Sequence, residues 1–183
     1  MKSLTFITGN TEKVAQLNRH FSLPIGHQKL DVPEMQSFDV KEVASHKAMK
    51  AYEMLGSPVL VEDTSLIFNA FGKLPGPFVK WFLESVDNEG MTRMLDGFED
   101  RSAIAEVCFA VCDESGVQLF DGKIDGSIAT RPRGDTGFGW DPIFIPDGYS
   151  ETWGQMTYEQ QHDTSMRRIA LHKLQSYIEA NKE

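Results

Sequence analysis

The 183-residue chain has a formal net charge of −9, with 40% hydrophobic and 25% charged residues. That is the balance of an ordinary globular protein, with enough apolar material for a substantial core in one domain or two tightly joined lobes. The acidic balance and the lack of any Lys/Arg run exclude nucleic acid as an expected partner, and no stretch approaches the roughly 20 apolar residues of a membrane span.

The chain opens on the strand-like Leu4-Thr5-Phe6-Ile7, with no basic segment leading into a long apolar one, so no signal peptide is expected. Thr8-Gly9-Asn10 signals a turn. Thr11 is placed to cap a following helix in which Val14, Leu17 and Phe21 recur at helical spacing. Residues 40 to 55 predict a second helix, with Val43, Ala44, Ala48, Ala51 and Leu55 on one face and Gly56-Ser57-Pro58 ending it. Val59-Leu60-Val61 predicts a short buried strand that delivers Glu62-Asp63 at its carboxyl end. Gly72 to Pro77 reads as a rigid loop, and Phe78–Val86 and Met91–Leu95 as helices. Ala103–Val111 and Val117–Ile124 predict two longer strands joined by the turn at Asp113-Glu114-Ser115-Gly116. Cys108 and Cys112 lie in the first of these. Their spacing suits buried thiols better than a bridge and points to a reducing, cytoplasmic compartment. Residues 131 to 149 read as loop, and a last helix from about Ser165 to Ile178 is supported by Ile169, Leu171, Leu174 and Ile178. The resulting expectation is a single two-lobed mixed α/β domain over residues 1–183 with a central cleft.

Five segments could carry chemistry. A strand, a glycine turn and a helix N-terminus at Thr8-Gly9-Asn10-Thr11-Glu12-Lys13 aim backbone N–H groups at one point, which suits a phosphate. The same segment also reads as an ordinary strand-to-helix turn with a surface lysine, and it lacks the spacing of a Walker A loop. The adjacent carboxylates of Glu62-Asp63-Thr64-Ser65 suit a hard cation or a solvated strand end. Glu34 alone is a surface carboxylate. Gly72-Lys73-Leu74-Pro75-Gly76-Pro77 leads to Lys80 and Trp81 and serves equally as a rigid connector. Gly137-Phe138-Gly139-Trp140-Asp141-Pro142 places two aromatics between glycines, either to stack on a planar ligand or to cap a core. Thr164-Ser165-Met166-Arg167-Arg168 opens the last helix, where an arginine can donate to a carbonyl or phosphate or remain a solvated charge.

Together and in this order, these segments resemble the inosine triphosphate pyrophosphatase family of non-canonical purine nucleoside triphosphate pyrophosphatases. The resemblance runs from Phe6 to about Leu174 and rests on Thr8-Gly9-Asn10 with Lys13, Val61-Glu62-Asp63-Thr64, Leu74-Pro75-Gly76-Pro77 with Lys80-Trp81-Phe82, and Phe138-Gly139-Trp140-Asp141-Pro142. It implies a homodimeric enzyme that uses Mg²⁺ to hydrolyse ITP, dITP or XTP at the α-phosphorus, releasing pyrophosphate and a monophosphate. It implies that Thr8, Gly9, Asn10, Thr11, Glu12 and Lys13 form a phosphate loop, and that Glu34 and Asp63 hold the metal. Asp63 also activates water, flanked by Thr64. Lys13, Lys47 and Lys80 contact phosphates, and Phe138, Gly139, Trp140, Asp141, Gln161, Met166 and Arg167 surround the base. This chain departs from the family's pattern at Gln161, where a lysine is usual, and at Met166, where a histidine is usual. Two donors near the base are therefore missing. The rival expectations are a pyrophosphatase of altered base preference and a nucleotide-binding module without turnover.

Overall fold

The opening strand, turn and helix are present as β1 (Thr5–Ile7) and α1 (Thr11–His20) in the computed structural model of the chain, which describes residues 4–21 and 25–181. β1 has a parallel neighbour on each side, β2 (Gly26–Gln28) and β3 (Val59–Phe68), with Phe6 opposite His27 and Leu60. Parallel neighbours require crossovers, and α1 and α2 (Val40–Leu55) provide them. α2 forms where its spacing predicts. Val40, Ala44, Ala48 and Ala51 share a buried face, and their small side chains let the helix lie close on Val59, Val61, Cys108 and Ala110. Asp39 caps it by accepting from the Lys41 N–H at 2.8 Å, and Gly56 ends it at φ 69°, a conformation glycine adopts without steric cost.

The remaining strands are β4 (Pro75–Gly76), β5 (Ser102–Asp113), β6 (Gly116–Ile128) and β7 (Phe144–Pro146). Strand order is β2-β1-β3-β5-β6-β7, with β4 paired to β3, so the fold is the expected mixed α/β class. β3 differs from its sequence-based outline. It runs ten residues rather than three, which puts Glu62 and Asp63 in mid-strand and not at a carboxyl end. The polar run Glu62-Asp63-Thr64-Ser65 suggests a strand end, yet Leu66 and Phe68 beyond it are fully buried. β4 supplies their pairing, with Leu66 opposite Gly76 and Ile67 opposite Pro75. The segment read as a rigid connector thus contains a strand. The loop expected over 131–149 contains another, since Phe144–Pro146 pairs antiparallel with Gly126–Ile128.

α3 (Val79–Arg93) joins the two helices expected there, with a break at Asp87 (φ 53°, ψ −171°). Asp87 Oδ1 accepts the Gly90 N–H at 3.1 Å and restarts the helix. A short α4 (Tyr158–Asp163), opened by a capping box between Thr157 and Gln160, precedes α5 (Met166–Ala180). Ile169 is exposed rather than supporting α5, and Ala170, Leu171 and Leu174 bury its apolar face instead.

The described chain divides into two compact units. Unit 1 comprises the residues up to Asp63, Val107–Asp121, and those from Ile169 onward. Its core surrounds α2 and includes Cys108 and Cys112, both free and buried. Burial pushes the Cys108 thiol up to about 12, far from a reactive thiolate. Unit 2 comprises Thr64–Glu106 and Gly122–Arg168. Its core holds the rings of Trp140, Phe144 and Trp153, with centroids 4.5 to 5.9 Å apart. Arg101 braces it by donating to the Thr92, Ile128 and Ala129 carbonyls at 2.8 to 3.0 Å. Gly134 (φ 81°) lies so close to the Gly154 backbone that an added Cβ would overlap it. A Cβ on Gly154 would in turn meet the Arg133 carbonyl at 2.7 Å and Pro142 Cα at 2.9 Å.

Candidate active site

Unit 1 gathers five charged side chains. Lys47, on the middle of α2, donates from Nζ to Glu34 Oε1 at 2.7 Å and to Asp63 Oδ1 at 3.2 Å. Lys13, on the first turn of α1, reaches Glu62 Oε1 at 3.4 Å. The Glu62 side chain is only 2% exposed, while Glu34 stands in solvent. Lys13 is therefore not the loose surface lysine that its place on a first helical turn suggests. It is anchored on a buried carboxylate, at 17% exposure. Burial works to lower the Lys47 pKa, but the charges and hydrogen bonds of Asp63 and Glu34 outweigh it and hold the ammonium above its usual range. Burial also raises the Asp63 carboxyl above its usual range, against the pull of Lys47 and Lys13. A carboxylate raised in this way, beside two lysines, is a better proton acceptor than one in free solution.

Asp63 Oδ2 is buried without a hydrogen-bond partner. A buried carboxylate oxygen left in this state is what a hard cation satisfies. Among the described residues, no group of three or more His, Cys, Asp or Glu side chains forms a ready cage. Magnesium takes one or two carboxylates and draws its other oxygens from water and phosphate. The pair Asp63 and Glu34, already sharing one cation in Lys47, fits that ion.

The turn at Thr8-Gly9-Asn10 is organised differently from the expectation of free amides. Asn10, and not Thr11, is the helix cap, and its Oδ1 accepts from the Glu12 and Lys13 N–H groups at 2.9 and 3.4 Å. The Asn10 N–H in turn donates to Thr8 Oγ1 at 3.1 Å. Three amides of the turn are thus satisfied internally. Thr11 and Glu12 are exposed on the first turn of α1, and Thr64 is half-buried on β3.

Unit 2 presents the loop at Gly137–Asp141. Gly137 and Gly139 take φ 77° and 66°, values that favour glycine. Asp141 Oδ2 accepts the Phe138 N–H at 2.8 Å and closes the loop on itself. Burial raises the Asp141 carboxyl to about 6, opposed by that N–H and by the Arg167 charge. The Arg167 guanidinium lies 5.4 Å from the Phe138 ring centroid in a cation–π contact. Trp140 is buried against Phe144 and Trp153, so its ring supports the loop from the core side. Met166, expected beside the base, is 0% exposed. Gln161 Nε2 donates to the Trp153 carbonyl at 2.5 Å and to Thr136 Oγ1 at 3.1 Å, so its amide braces the unit. Lys80 stands in solvent on the first turn of α3, 3.9 Å from Glu84 and 5.6 Å from the Trp81 ring centroid.

Two contacts escaped the sequence. Glu62 was read with Asp63 as a carboxylate pair for a hard cation, and nothing in the spacing couples it to Lys13, its partner in the structure. Asn88 follows the break in α3 and donates from Nδ2 to the Gly139 carbonyl at 2.9 Å, across 51 positions of chain. The only local signal was the Asp87-Asn88 pair, a common helix restart.

The Ham1 family model matches residues 4–177. The chain is 42% identical over 179 residues to inosine triphosphate pyrophosphatase 2 of Trypanosoma cruzi (strain CL Brener), covering 96% of this chain and 91% of the relative. It is 42% identical over 193 residues to the inosine triphosphate pyrophosphatase of Scheffersomyces stipitis, covering 97% and 98%. Among solved structures, a HAM1 protein from Coxiella burnetii superposes with a TM-score of 0.85 at 25% identity, over 98% of this chain and all of that one. The nucleoside-triphosphatase / dITP/XTP pyrophosphatase of Mycobacterium abscessus superposes with a TM-score of 0.74 at 26% identity, over 93% and 97%.

Proposed function

The chain belongs to the Ham1 family, and from that premise we propose how its residues hydrolyse the triphosphates of non-canonical purines, ITP, dITP and XTP, to a monophosphate and pyrophosphate. The observation that carries the chemistry is the Lys47 bridge between Glu34 and Asp63, with the buried, unpartnered Asp63 Oδ2 beside it. Bound at Asp63 and Glu34, Mg²⁺ would neutralise phosphate charge and polarise the phosphorus–oxygen bonds. Asp63 orients a water toward the α-phosphorus and accepts its proton, a role favoured by its raised pKa. Lys47 has a third N–H beyond the two that face carboxylates, and it donates that one to a phosphate oxygen. Lys13 adds charge at the Thr8–Glu12 turn, and Lys80, exposed on α3, is a further phosphate-contacting cation on this reading. In-line displacement then needs mainly positioning and charge neutralisation.

Base recognition belongs to unit 2. A 6-keto purine offers an acceptor at O6 and a donor at N1, the reverse of adenine. Arg167 donates to O6, Phe138 stacks on the ring, and Asp141 holds the loop rather than the base. The chain acts as one catalytic domain, and the cytoplasmic homodimer implied by the resemblance belongs to the same proposal. Its two free thiols fit a reducing compartment, no helix among the described residues is long and apolar enough to cross a membrane, and light scattering on a sizing column tests the dimer.

Pyrophosphate release from ITP, with Mg²⁺ and with excess chelator, tests the assignment. Release with Mg²⁺ that stops on chelation is expected, and no release in either condition leaves only a binding module. One observation favours a second reading, altered base preference. Gln161 is turned onto Trp153 and Met166 is buried, so neither replaces the donors usual in the family. A panel of ITP, XTP, dITP, GTP and ATP separates the two, and equal turnover of ATP and ITP would support the second.

A further inference from the structure

A second wall lines the turn between β1 and α1. Ile7 pairs with Gln28 in parallel register, and the Thr8 N–H donates to the Gln28 carbonyl at 3.1 Å. One step further along this register Lys29 follows opposite Thr8, and its side chain reaches Gly9. A Cβ built on Gly9 would touch Cγ, Cδ and Cε of Lys29 at 3.5 Å each, so the methylene stem lies flat across the glycine. The Gly9 backbone is not in the left-handed region. A Cβ at this position would make ordinary van der Waals contact with the lysine stem, which places the stem beside Gly9. A lysine whose stem is packed in this way presents its ammonium at the edge of the surface it covers.

Three facts single out this ammonium. Lys29 is exposed and enters no ion pair among the described residues. The two lysines already assigned to the phosphates in unit 1 are both held by carboxylates, Lys13 by Glu62 and Lys47 by Glu34 and Asp63. The turn's own amides are largely consumed by Asn10 and Thr8. A polyphosphate arriving at this turn meets one cation that carries no prior partner. We propose that Lys29 is a further substrate-binding residue, contacting the terminal phosphates that leave as pyrophosphate. Asp63 and Lys47 serve the α-phosphorus, where water attacks, and Lys29 serves the charge that grows on the leaving group. This inference rests on the phosphate-binding role proposed for the turn.

The test separates the charge from the stem. Lys29→Met keeps the methylenes over Gly9 and removes the ammonium, and Lys29→Arg keeps the charge. Each is titrated calorimetrically with sodium tripolyphosphate in Mg²⁺, and pyrophosphate and inosine monophosphate are compared as product inhibitors of ITP turnover. Lys29→Met should weaken tripolyphosphate binding about tenfold, the scale of a charge-assisted hydrogen bond. Pyrophosphate inhibition should weaken in parallel, with inosine monophosphate inhibition and melting temperature unchanged. Lys29→Arg should stay within about threefold of the parent, since its charge is retained. Parental tripolyphosphate binding by Lys29→Met overturns the proposal. Equal losses toward pyrophosphate and inosine monophosphate do so too, as does a loss seen in Lys29→Ala but not in Lys29→Met. If the parent releases no pyrophosphate from ITP, the proposed hydrolysis falls, while the tripolyphosphate titration still decides the role of Lys29.

Discussion

Lys47 is held by two carboxylates at 2.7 and 3.2 Å, whereas Phe138 is held by a hydrogen bond from its backbone N–H to the Asp141 carboxylate, a guanidinium over its ring and two flanking glycines at positive φ. The first kind of hold is made of partners that can be exchanged. A dication or a phosphate entering unit 1 competes directly with the ion pairs already there. The second kind is a shape, set by backbone conformation and by the Trp140, Phe144 and Trp153 rings. On the proposed reading, the phosphates meet ion pairs that can be rebalanced, and the base meets a loop fixed by backbone conformation with Arg167 as its charged donor.

The comparison breaks most sharply at Asp63. Asp63→Asn keeps the size of the side chain and removes the proton acceptor, so kcat should fall roughly 10²–10⁴-fold with the fold retained by circular dichroism. Pyrophosphate release at the parental rate would detach the ion-pair cluster from catalysis. On the other side, Arg167→Ala should leave turnover of ATP in place and lower the ITP/ATP ratio of kcat/KM by roughly 10–100-fold, the worth of one hydrogen bond from a charged donor. An unchanged ratio means that the base is read elsewhere.

The Lys13–Glu62 pair sharpens the same contrast. Its lysine alone reads as a solvated charge that could be lost at little cost to the fold. Because Glu62 is buried, Lys13→Ala should cost about 1 kcal/mol of stability, the scale of one hydrogen bond to a charged group made by a partly exposed lysine. Lys13→Ala/Glu62→Gln should recover most of that in chemical denaturation while KM for ITP stays raised. A double variant no more stable than the single one would show that the pair is not coupled.

The smallest effect is expected at Asp141. Its carboxyl is raised in the folded protein from the ordinary 3.8 to about 6, chiefly by burial. The folded state therefore binds more protons than the unfolded state between those values, and this group's contribution to stability falls as pH rises through that window and stays low above it. Asp141→Asn can still accept the Phe138 N–H but does not titrate. Its melting temperature relative to the parent should climb from pH 4 to pH 6 and then level off. A constant difference across that range would place the titration elsewhere.

Periodic segments were legible in the sequence, and long-range ones were not. α2 declares itself through alanines at helical spacing and a glycine stop, all local signals. β3 hides its second half because the four polar residues after Val61 mask a strand that continues only once β4 pairs with it. α4 is too short to show a period, and its capping box at Thr157 and Gln160 was the one available cue. At the site, the Lys47–Glu34 and Lys47–Asp63 contacts span 13 and 16 positions, and no spacing rule joins them. Trp140 looked like a stacking residue because its partner Trp153 lies outside the glycine loop, in a stretch with no strand or helix signal. Without Trp153, nothing tells a ring that faces a ligand from one that faces a core.

Gly134 and Gly154 touch backbone to backbone, with no side chain between them on either strand of the contact. Ordinary core positions drift in pairs, one residue growing as its neighbour shrinks. Here a Cβ on Gly134 would meet the Gly154 backbone and one on Gly154 would meet the backbone of Arg133 and Pro142, so no neighbouring side chain can shrink to make room. Any side chain at either position is expected to force these backbones apart. The stretches that carry Phe138 and Trp153 must then be inherited together. A chimaera that exchanges one of them between relatives without the other is expected to fail at this contact before its base preference can be measured.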